Sequence, residues 1–350
     1  MENPGHEYFM NRCFELARLG KAQVAPNPMV GAVIVHRHSV IGEGYHRQYG
    51  GPHAEVNAIQ AVKNKHLLKD STLYVNLEPC AHHGKTPPCS DLIIANEIPR
   101  VVIANVDPFH EVSGKGIQRM RQAGIEVITG VLESDGRFLN RRFFTFHEKE
   151  RPYIILKWAQ TADGYIDIIR TGQEFPPIWI TNQVSKTLVH KWRTEEAGIM
   201  VGTNTALLDN PQLTARLWDG RQPVRVVPDR MLRLPQSLYL FDHSAPTIVF
   251  TENPPQDQQN LFFRKVNFDH HPIQQMMTIL YEFDVQSIII EGGTSLLDSF
   301  IREGYWDEAR IFEGKTTFGD GVKAPQLRGQ HRKEEFVGDA RLFYLYNDLQ

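Results

Sequence analysis

The sequence predicts an α/β protein of two domains, and three observations carry that prediction. First, 350 residues exceed the ~100–200 that one core usually organises. Second, short apolar runs alternate with segments of helical spacing along both halves, which is the pattern of layered α/β sheets. Third, a charge-dense stretch ending in proline, Asn140–Pro152, interrupts that alternation, and a fresh apolar run follows it at once. The expected domains are therefore 1–147 and 151–350.

Taken in order, Phe9, Met10, Cys13, Leu16 and Ala17 recur at helical spacing between Glu7 and Leu19, and Gly20 is a natural stop. Cys13 lies on the apolar face of that helix and reads as core. Met29–His36 and Val40–Tyr45 read as a hairpin of two strands. Helical character over His53–Val62 is followed by two strand-then-helix units: Thr72–Leu77 with Cys89–Ala95, and Val101–Ala104 with Gly116–Ala123. The strand Ile125–Thr129 ends the series. Past the boundary come strand Tyr153–Trp158, helix Val184–Trp192, strands Gly198–Val201, Val224–Pro228, Thr247–Thr251 and Ser287–Ile290, helix Ser295–Ile301, and strand Ala309–Glu313. Asn253–Gln259, rich in Pro and Gln, reads as a surface loop, and no repeat relates the two halves.

Composition narrows the functional class. With 38 Lys+Arg against 41 Asp+Glu, the formal net charge is −3, which supplies no broad cationic field for a nucleic acid. Three cysteines are too few, and an odd number, for a disulfide framework, so a reducing compartment is expected. No signal peptide is visible, and no apolar run reaches the ~18 residues of a membrane span. The mean hydropathy is −0.37. A cytoplasmic protein with no membrane partner is expected, and a homo-oligomer is compatible with the sequence.

Three residues of zinc-binding type, His53, Cys80 and Cys89, fall in one window. Three protein ligands leave one tetrahedral position for water, the layout of a catalytic zinc. Glu55, two residues after His53, is not needed as a ligand. From the first turn of the same helix its carboxylate could take a proton from the zinc-activated water. Each ligand is expected at the start of a helix, where the dipole helps keep thiolates ionised. Singly, each would read as a buried or surface residue of no special role. As a set, His-x-Glu followed by Pro-Cys and a second Cys is the pattern of zinc deaminases, except that the usual Pro-Cys-x-x-Cys is widened to eight intervening residues.

With that insert, His53-Ala54-Glu55 and Leu77-Glu78-Pro79-Cys80-Ala81-His82-His83-Gly84-Lys85-Thr86-Pro87-Pro88-Cys89 resemble the bifunctional deaminase/reductases of riboflavin biosynthesis. The resemblance extends to Pro26-Asn27-Pro28-Met29-Val30-Gly31, to Asp107-Pro108 and to Gly114-Lys115-Gly116. It implies a cytidine-deaminase-like first domain that hydrolytically deaminates 2,5-diamino-6-(5-phosphoribosylamino)pyrimidin-4-one, with Asn27, His82, Lys85, Thr86 and Asp107 contacting substrate. Lys85 and Thr86, on a loop with a glycine, suit a phosphate, in preference to the plain alternative that Lys85 is a solvated loop charge. The family's usual Asp-Pro-Asn-Pro reads Asp107-Pro108-Phe109-His110 here.

In the second half, Ser287-Ile288-Ile289-Ile290-Glu291-Gly292-Gly293-Thr294-Ser295 is an apolar strand entering two glycines and a helix start, a place where an anion can be held. Such a turn is also common in purely structural roles, and the Gly-x-Gly-x-x-Gly dinucleotide fingerprint is absent. Val201–Pro211 follows a strand in the same way, with Gly202 allowing close approach and Thr205 and Asp209 as polar handles. Together with Leu156-Lys157-Trp158-Ala159, Asp163-Gly164, Trp179-Ile180-Thr181, Val189-His190-Lys191-Trp192-Arg193 and Leu213-Thr214-Ala215-Arg216, these segments resemble the reductase half of the same family, whose fold is similar to dihydrofolate reductase.

That resemblance implies NADPH-dependent reduction of the ribose to a ribityl chain. It places cofactor contacts at Ala159, Trp179, Thr205 and Asp209 and along Gly293, Thr294, Ser295, Leu296, Leu297, Asp298 and Ser299. Substrate contacts fall at Arg193, Leu213, Arg216 and Glu291. A guanidinium fork suits phosphate, while either arginine alone could be a solvated surface charge. Lys157 would polarise the sugar carbonyl as hydride arrives. Departures from the usual pattern are Thr161-Ala162-Asp163-Gly164 and Pro177. Two rival readings stand beside this one: a zinc deaminase acting on nucleic acid with a C-terminal binding module, and a non-catalytic protein with a structural metal, against which Glu55 argues.

Overall fold

The computed structural model describes residues 5–81, 87–109, 113–170, 178–327 and 331–347. It divides into two compact units, Met1–Lys149 and Glu150–Gln350.

The first unit is built around strands that are apolar on both faces. Its elements are α1 (His6–Arg18), β1 (Gly31–His36), β2 (Ser39–Tyr45), α2 (Ala54–Ala61), β3 (Ser71–Leu77), α3 (Cys89–Ala95), β4 (Arg100–Asn105), α4 (Lys115–Gln122), β5 (Glu126–Thr129), α5 (Glu133–Leu139) and α6 (Arg141–Lys149). The sheet order is β2-β1-β3-β4-β5. β1 is antiparallel to both neighbours, while β3, β4 and β5 run parallel. Because successive side chains alternate faces, Ala32, Ile34, Leu73, Val75, Val101 and Ile103 join one core with Ala54, Ala58, Ile93 and Met120 of α2, α3 and α4. Val33, Val35, Tyr74, Val102 and Ala104 join the other, against α1 and Leu139 of α5. Burial on both faces explains why these strands read as unbroken apolar runs rather than alternating ones.

The second unit contains β6 (Tyr153–Gln160), β7 (Tyr165–Asp167), α7 (Gln183–Glu195), β8 (Gly198–Met200), α8 (Thr203–Asp209), β9 (Val224–Pro228), β10 (Thr247–Thr251), β11 (Leu261–Lys265), α9 (Pro272–Glu282), β12 (Ser287–Glu291), α10 (Thr294–Arg302), β13 (Glu308–Glu313), β14 (Val322–Lys323), β15 (His331–Val337) and β16 (Ala340–Tyr346). A nine-stranded sheet has the order β11-β10-β9-β8-β12-β6-β13-β16-β15, and β7 pairs with β14. From β11 through β13 the strands are parallel, and β16 and β15 close the edge antiparallel. Ile154, Leu156, Ile288 and Ile290 face α9 and α10, whereas Tyr153, Ile155 and Ile289 face Val189 and Trp192 of α7. The carboxyl ends of β8, β12 and β6 lie side by side, and open parallel sheets bind ligands at such ends.

Several sequence expectations need correction. The charge-dense stretch at which the domain boundary was expected is largely helix: α6 buries Phe143, Phe144, Thr145 and Phe146, while Glu148 and Lys149 are exposed. Asn140, at its start, accepts the Met29 N–H and donates to the Met29 carbonyl, both at 2.9 Å. The division between units falls after this helix. The elements α5, β7, α8, β11, α9 and β14 to β16 were not expected. Cys13 is buried in the core, as expected. Among the described residues, no helix is long and apolar enough to cross a membrane.

Candidate active sites

In the first unit, the chain brings His53, Cys80 and Cys89 together from three elements. His53 is the N-cap of α2 and Cys89 is the first residue of α3. Cys80 lies in the loop after β3, not at a helix start as expected. The dipole argument survives in another form, because the Cys89 backbone N–H, at the start of α3, donates to the Cys80 sulfur at 3.3 Å. The loop is further tied by the Ser90 N–H and hydroxyl, which donate to the Cys80 carbonyl at 3.1 and 3.0 Å.

The three donor atoms lie within 4.8 Å of one another. His53 Nδ1 is 3.2 Å from Cys89 Sγ and 3.6 Å from Cys80 Sγ. A tetrahedral zinc, with bonds of about 2.0–2.1 Å to nitrogen and 2.3 Å to sulfur, separates such donors by about 3.6 Å, so the cluster fits that ion. Its proton distribution agrees. A hydrogen bond from Cys89 and another from His53 bring the Cys80 thiol down to about 4 despite burial. The bond to Cys80 pushes the His53 imidazole up to about 9. Cys89, which donates to Cys80 and is buried, goes up. A divalent cation would take the place of the two protons that His53 and Cys89 hold.

Glu55, on the first turn of α2, is buried beside this cluster. Burial raises its carboxyl, opposed by the His53 charge. Asn27 Nδ2 is 3.1 Å from His46 Nε2, and His46 Nδ1 is 3.0 Å from the Pro52 carbonyl. The His46 ring stands edge-on to His53 with centroids 5.5 Å apart, and burial lowers its pKa. Asp107 ends up buried just past β4, accepting the Phe109 N–H at 2.9 Å. Burial lifts its carboxyl to about 6. His82, Lys85 and Thr86, like His110, lie outside the described residues.

Sequence reasoning assigned no role to His46 or to Glu78. The buried Glu78 carboxylate accepts the backbone N–H groups of Asp107, Gly114, Gly116 and Ile117 at 2.9–3.3 Å. It thus caps α4 and fixes the segment that carries Asp107. Gly116 is required there, because a Cβ would come within 2.1 Å of the Pro79 carbonyl. Glu78 stands inside the Glu78-Pro79-Cys80 motif, but its partners are 29 to 39 residues away, so spacing carries no signal for them.

In the second unit, register places Lys157 of β6 opposite Glu291 of β12. Lys157 Nζ is 3.9 Å from Glu291 Oε1, and Arg193 Nη2 donates to Glu291 Oε2 at 3.0 Å. Burial lowers the Lys157 ammonium, against the raising effect of Glu291. Burial alone would raise the Glu291 carboxyl, but Lys157 and Arg193 bring it below its ordinary value. Glu291 Oε1 and Arg193 Nε are buried without a hydrogen-bond partner among the described residues, which leaves a donor and an acceptor for a ligand.

Arg193 Nη1 also donates to the Thr214 carbonyl at 3.2 Å, and Arg216 Nη1 to the Thr214 hydroxyl at 3.2 Å. The two guanidinium groups therefore converge on one loop. Leu213, at φ 57°, buries its side chain in the core, so only its main chain is left to meet a substrate.

The expected cofactor residues gather at the turns after β8 and β12. Thr205 Oγ1 accepts the Gly293 N–H at 3.0 Å, tying α8 to the start of α10. Gly292 has φ 128°, and a Cβ there would sit 3.1 Å from that hydroxyl. Gly293 caps α10 without a side-chain acceptor, so the first-turn N–H groups of that helix keep no capping side chain. Thr294 donates to the Lys323 carbonyl at 2.7 Å and Ser299 to the Ser295 carbonyl at 2.9 Å. Leu297 points into the core, whereas Leu296 faces Gly202. Asp209 accepts Arg170 at 2.7 Å, a partner the sequence did not suggest. Trp179 is exposed, with Lys186 Nζ 4.1 Å over its ring. Ala159 lies near the end of β6, and Asp298 lies on α10. Pro177 falls outside the described residues.

Comparison with known proteins agrees with this division. The family described as cytidine and deoxycytidylate deaminase zinc-binding region matches residues 4–105, and the RibD C-terminal domain matches residues 152–341. The riboflavin biosynthesis protein RibD of Aquifex aeolicus is 40% identical over 324 residues, covering 91% of this chain and 89% of that protein. Its counterpart in Bacillus amyloliquefaciens is 41% identical over 330 residues, covering 92% and 87%. A crystal structure of a diaminohydroxyphosphoribosylaminopyrimidine deaminase/5-amino-6-(5-phosphoribosylamino)uracil reductase from Thermotoga maritima superposes with a TM-score of 0.84 at 38% identity, covering 98% of each chain.

Proposed function

The chain belongs to the RibD family of riboflavin-biosynthesis proteins, and from that premise we propose how its own residues share the work. It is a bifunctional enzyme, a zinc-dependent deaminase joined to an NADPH-dependent reductase with a dihydrofolate-reductase-like fold. In the proposal, residues 1–147 deaminate 2,5-diamino-6-(5-phosphoribosylamino)pyrimidin-4-one and residues 151–350 reduce the ribose of the product to a ribityl chain. The observation that carries the reading is the convergence of His53, Cys80 and Cys89 donor atoms within 4.8 Å beside a buried Glu55.

His53, Cys80 and Cys89 would hold the zinc. When bound, it supplies the Lewis acidity that brings a water within reach of deprotonation near pH ~7. Glu55 would accept a proton from the attacking water as its oxygen bonds to the ring carbon, and would pass it to the exocyclic nitrogen, whose bond to that carbon breaks to release ammonia. Asn27 and Asp107 orient the pyrimidine, with His82, Lys85 and Thr86 on its phosphoribosyl end.

In the reductase half, Ala159, Trp179, Thr205, Asp209 and the Gly293–Ser299 segment would hold NADPH, which would supply the hydride. Lys157 donates toward the oxygen of the open-chain sugar carbonyl as negative charge develops there, and Glu291 holds that ammonium in place. Arg193 and Arg216 take the substrate phosphate, with the main chain of Leu213 beside it. The reading of the second half as a nucleic-acid-binding module is not favoured, since a reductase family spans it. A small-molecule substrate without a nucleic-acid partner, a cytoplasmic location and a homo-oligomeric assembly belong to the same proposal.

The experiment is to change Glu55→Gln in the full chain and measure bound zinc with both half-reactions. Retained zinc, lost deamination and intact reduction of pre-deaminated substrate are expected. Deamination at the unaltered rate would overturn the role of Glu55.

A further inference from the structure

The buried imidazole of His190 has no part in the chemistry described above, yet it touches the substrate loop directly. His190 lies on α7 one turn before Arg193. Its Nδ1 accepts the Arg216 backbone N–H at 2.8 Å and lies 3.5 Å from the Leu217 nitrogen. An Nδ1 that accepts from the main chain requires a neutral ring with its proton on Nε2. The surroundings favour that form: burial first, then the charges of Arg193, Arg216 and Lys186, bring His190 down to about 4 against the raising effect of Glu291.

Among the described residues, the other hydrogen bonds that anchor loop 213–217 to the rest of the unit lie upstream of Arg216, and past it Lys191 Nζ sits 5.2 Å from the Trp218 ring centroid. Arg193 holds the Thr214 carbonyl. Gln222 clamps Ala215 from both sides, accepting its N–H at 2.7 Å and donating to its carbonyl at 3.0 Å. Beyond Arg216 the chain is exposed at Leu217 and Trp218. Among the described residues the Arg216 main-chain N–H has His190 Nδ1 as its acceptor, and the side-chain contact from Arg216 Nη1 to the Thr214 hydroxyl lies within the same loop, so it moves with the loop.

We propose that His190 is a positioning residue for substrate recognition: by accepting the Arg216 N–H it holds the Arg216 guanidinium beside Arg193, so that the pair selects a ribose carrying a phosphate monoester over one carrying a free hydroxyl. The inference rests on the reading of Arg216 as a phosphate-binding group.

Two amide side chains test it, because the Asn carboxamide oxygen reaches the position of Nδ1 while that of Gln reaches the position of Nε2. In the full-length holoenzyme, reductase kinetics are measured on deaminated substrate with and without its phosphate, for His190→Asn, His190→Gln, Arg216→Ala and the His190→Gln/Arg216→Ala double variant. His190→Gln should raise KM for the phosphorylated substrate about tenfold with kcat little changed, most of the loss expected for removing a charge-assisted phosphate contact. Preference over the dephosphorylated substrate should fall by the same factor, and His190→Asn should stay within about threefold of the unaltered enzyme. The double variant should match Arg216→Ala alone, as two residues acting through one contact do. If Arg216→Ala raises KM but His190→Gln and His190→Asn behave alike, the positioning role is wrong while the phosphate reading stands. If Arg216→Ala leaves KM unchanged, the phosphate reading itself fails and the inference falls with it.

Discussion

The two halves of this chain handle buried charge in opposite ways. The deaminase centre places two sulfurs and an imidazole within a few ångströms and balances them with protons or a cation; its compensating charge is exchangeable. In the reductase centre, Lys157, Glu291 and Arg193 balance one another, so the compensating charge is covalently part of the chain. A centre of the first kind can be emptied and refilled, while one of the second kind can be changed only by substitution. The contrast also sets the reach of any perturbation. Loss of the cation leaves thiolates and imidazole to reprotonate locally, whereas loss of one member of the Lys157, Glu291 and Arg193 set leaves a buried ion without its partner, which is costly.

The largest expected effect tests the exchangeable side. Glu55→Gln should lower the deaminase kcat by about 10²–10⁴, the usual share of a positioned proton carrier, with zinc content unchanged by elemental analysis. A smaller effect belongs to the fixed side. Arg193→Ala or Arg216→Ala should raise the KM for the phosphorylated intermediate roughly 10- to 100-fold with the NADPH KM little altered. A rise in the NADPH KM instead would reassign these arginines to the cofactor phosphates. Steady-state kinetics with both substrates varied separates the two.

Much of the deaminase centre could be read from sequence because zinc ligands are chemically distinctive residue types at recognisable spacing. His53, Glu55, Cys80 and Cys89 needed no three-dimensional information to be grouped. Glu78 and His46 escaped because their roles depend on partners that only folding supplies, namely distant backbone amides for one and Asn27 with Pro52 for the other. The reductase residues are ordinary by type: the turns at Gly202 and at Gly292-Gly293 gave weak signals of their own, and the resemblance grouped them into one site. Leu213 and Leu297 show the limit of that transfer, since their side chains belong to the core.

At the level of elements, central strands were legible because burial on both faces leaves a continuous apolar run. The helix α6 went unassigned because its arginines, glutamate and lysine mask Phe143, Phe144 and Phe146. Two signals went unused. Ile273, Met276, Met277 and Leu280 follow Pro272 at helical spacing, and Gly338-Asp339 links the paired residues Val337 and Ala340 of β15 and β16, a two-residue hairpin turn.

Two finer measurements sharpen the contrast. Glu78→Gln should destabilise the deaminase half by about 1.5–3 kcal/mol, the scale of hydrogen bonds to a charged group, and slow deamination by loosening the segment that carries Asp107. Reduction by the same variant should be unaffected. A thermal melt followed beside both assays checks this. For the reductase, the alkaline limb of kcat should lie below the ordinary lysine value of about 10.4, because burial lowers Lys157. Glu291→Gln removes the charge that favours the ammonium, so the limb should move further down. A pH–rate profile in which that limb stays where it was would contradict the assignment of Lys157 as proton donor.

The central claim is that one chain carries an exchangeable metal centre and a metal-independent charged centre, each with its own reaction. The most direct test strips zinc from the full-length protein and follows both half-reactions, supplying the deaminated intermediate separately to the reductase. Deamination should vanish and return with added zinc, while reduction by NADPH continues at its original rate throughout. If reduction falls and recovers in step with the metal, in protein that remains folded, the two centres are not independent and the account is wrong.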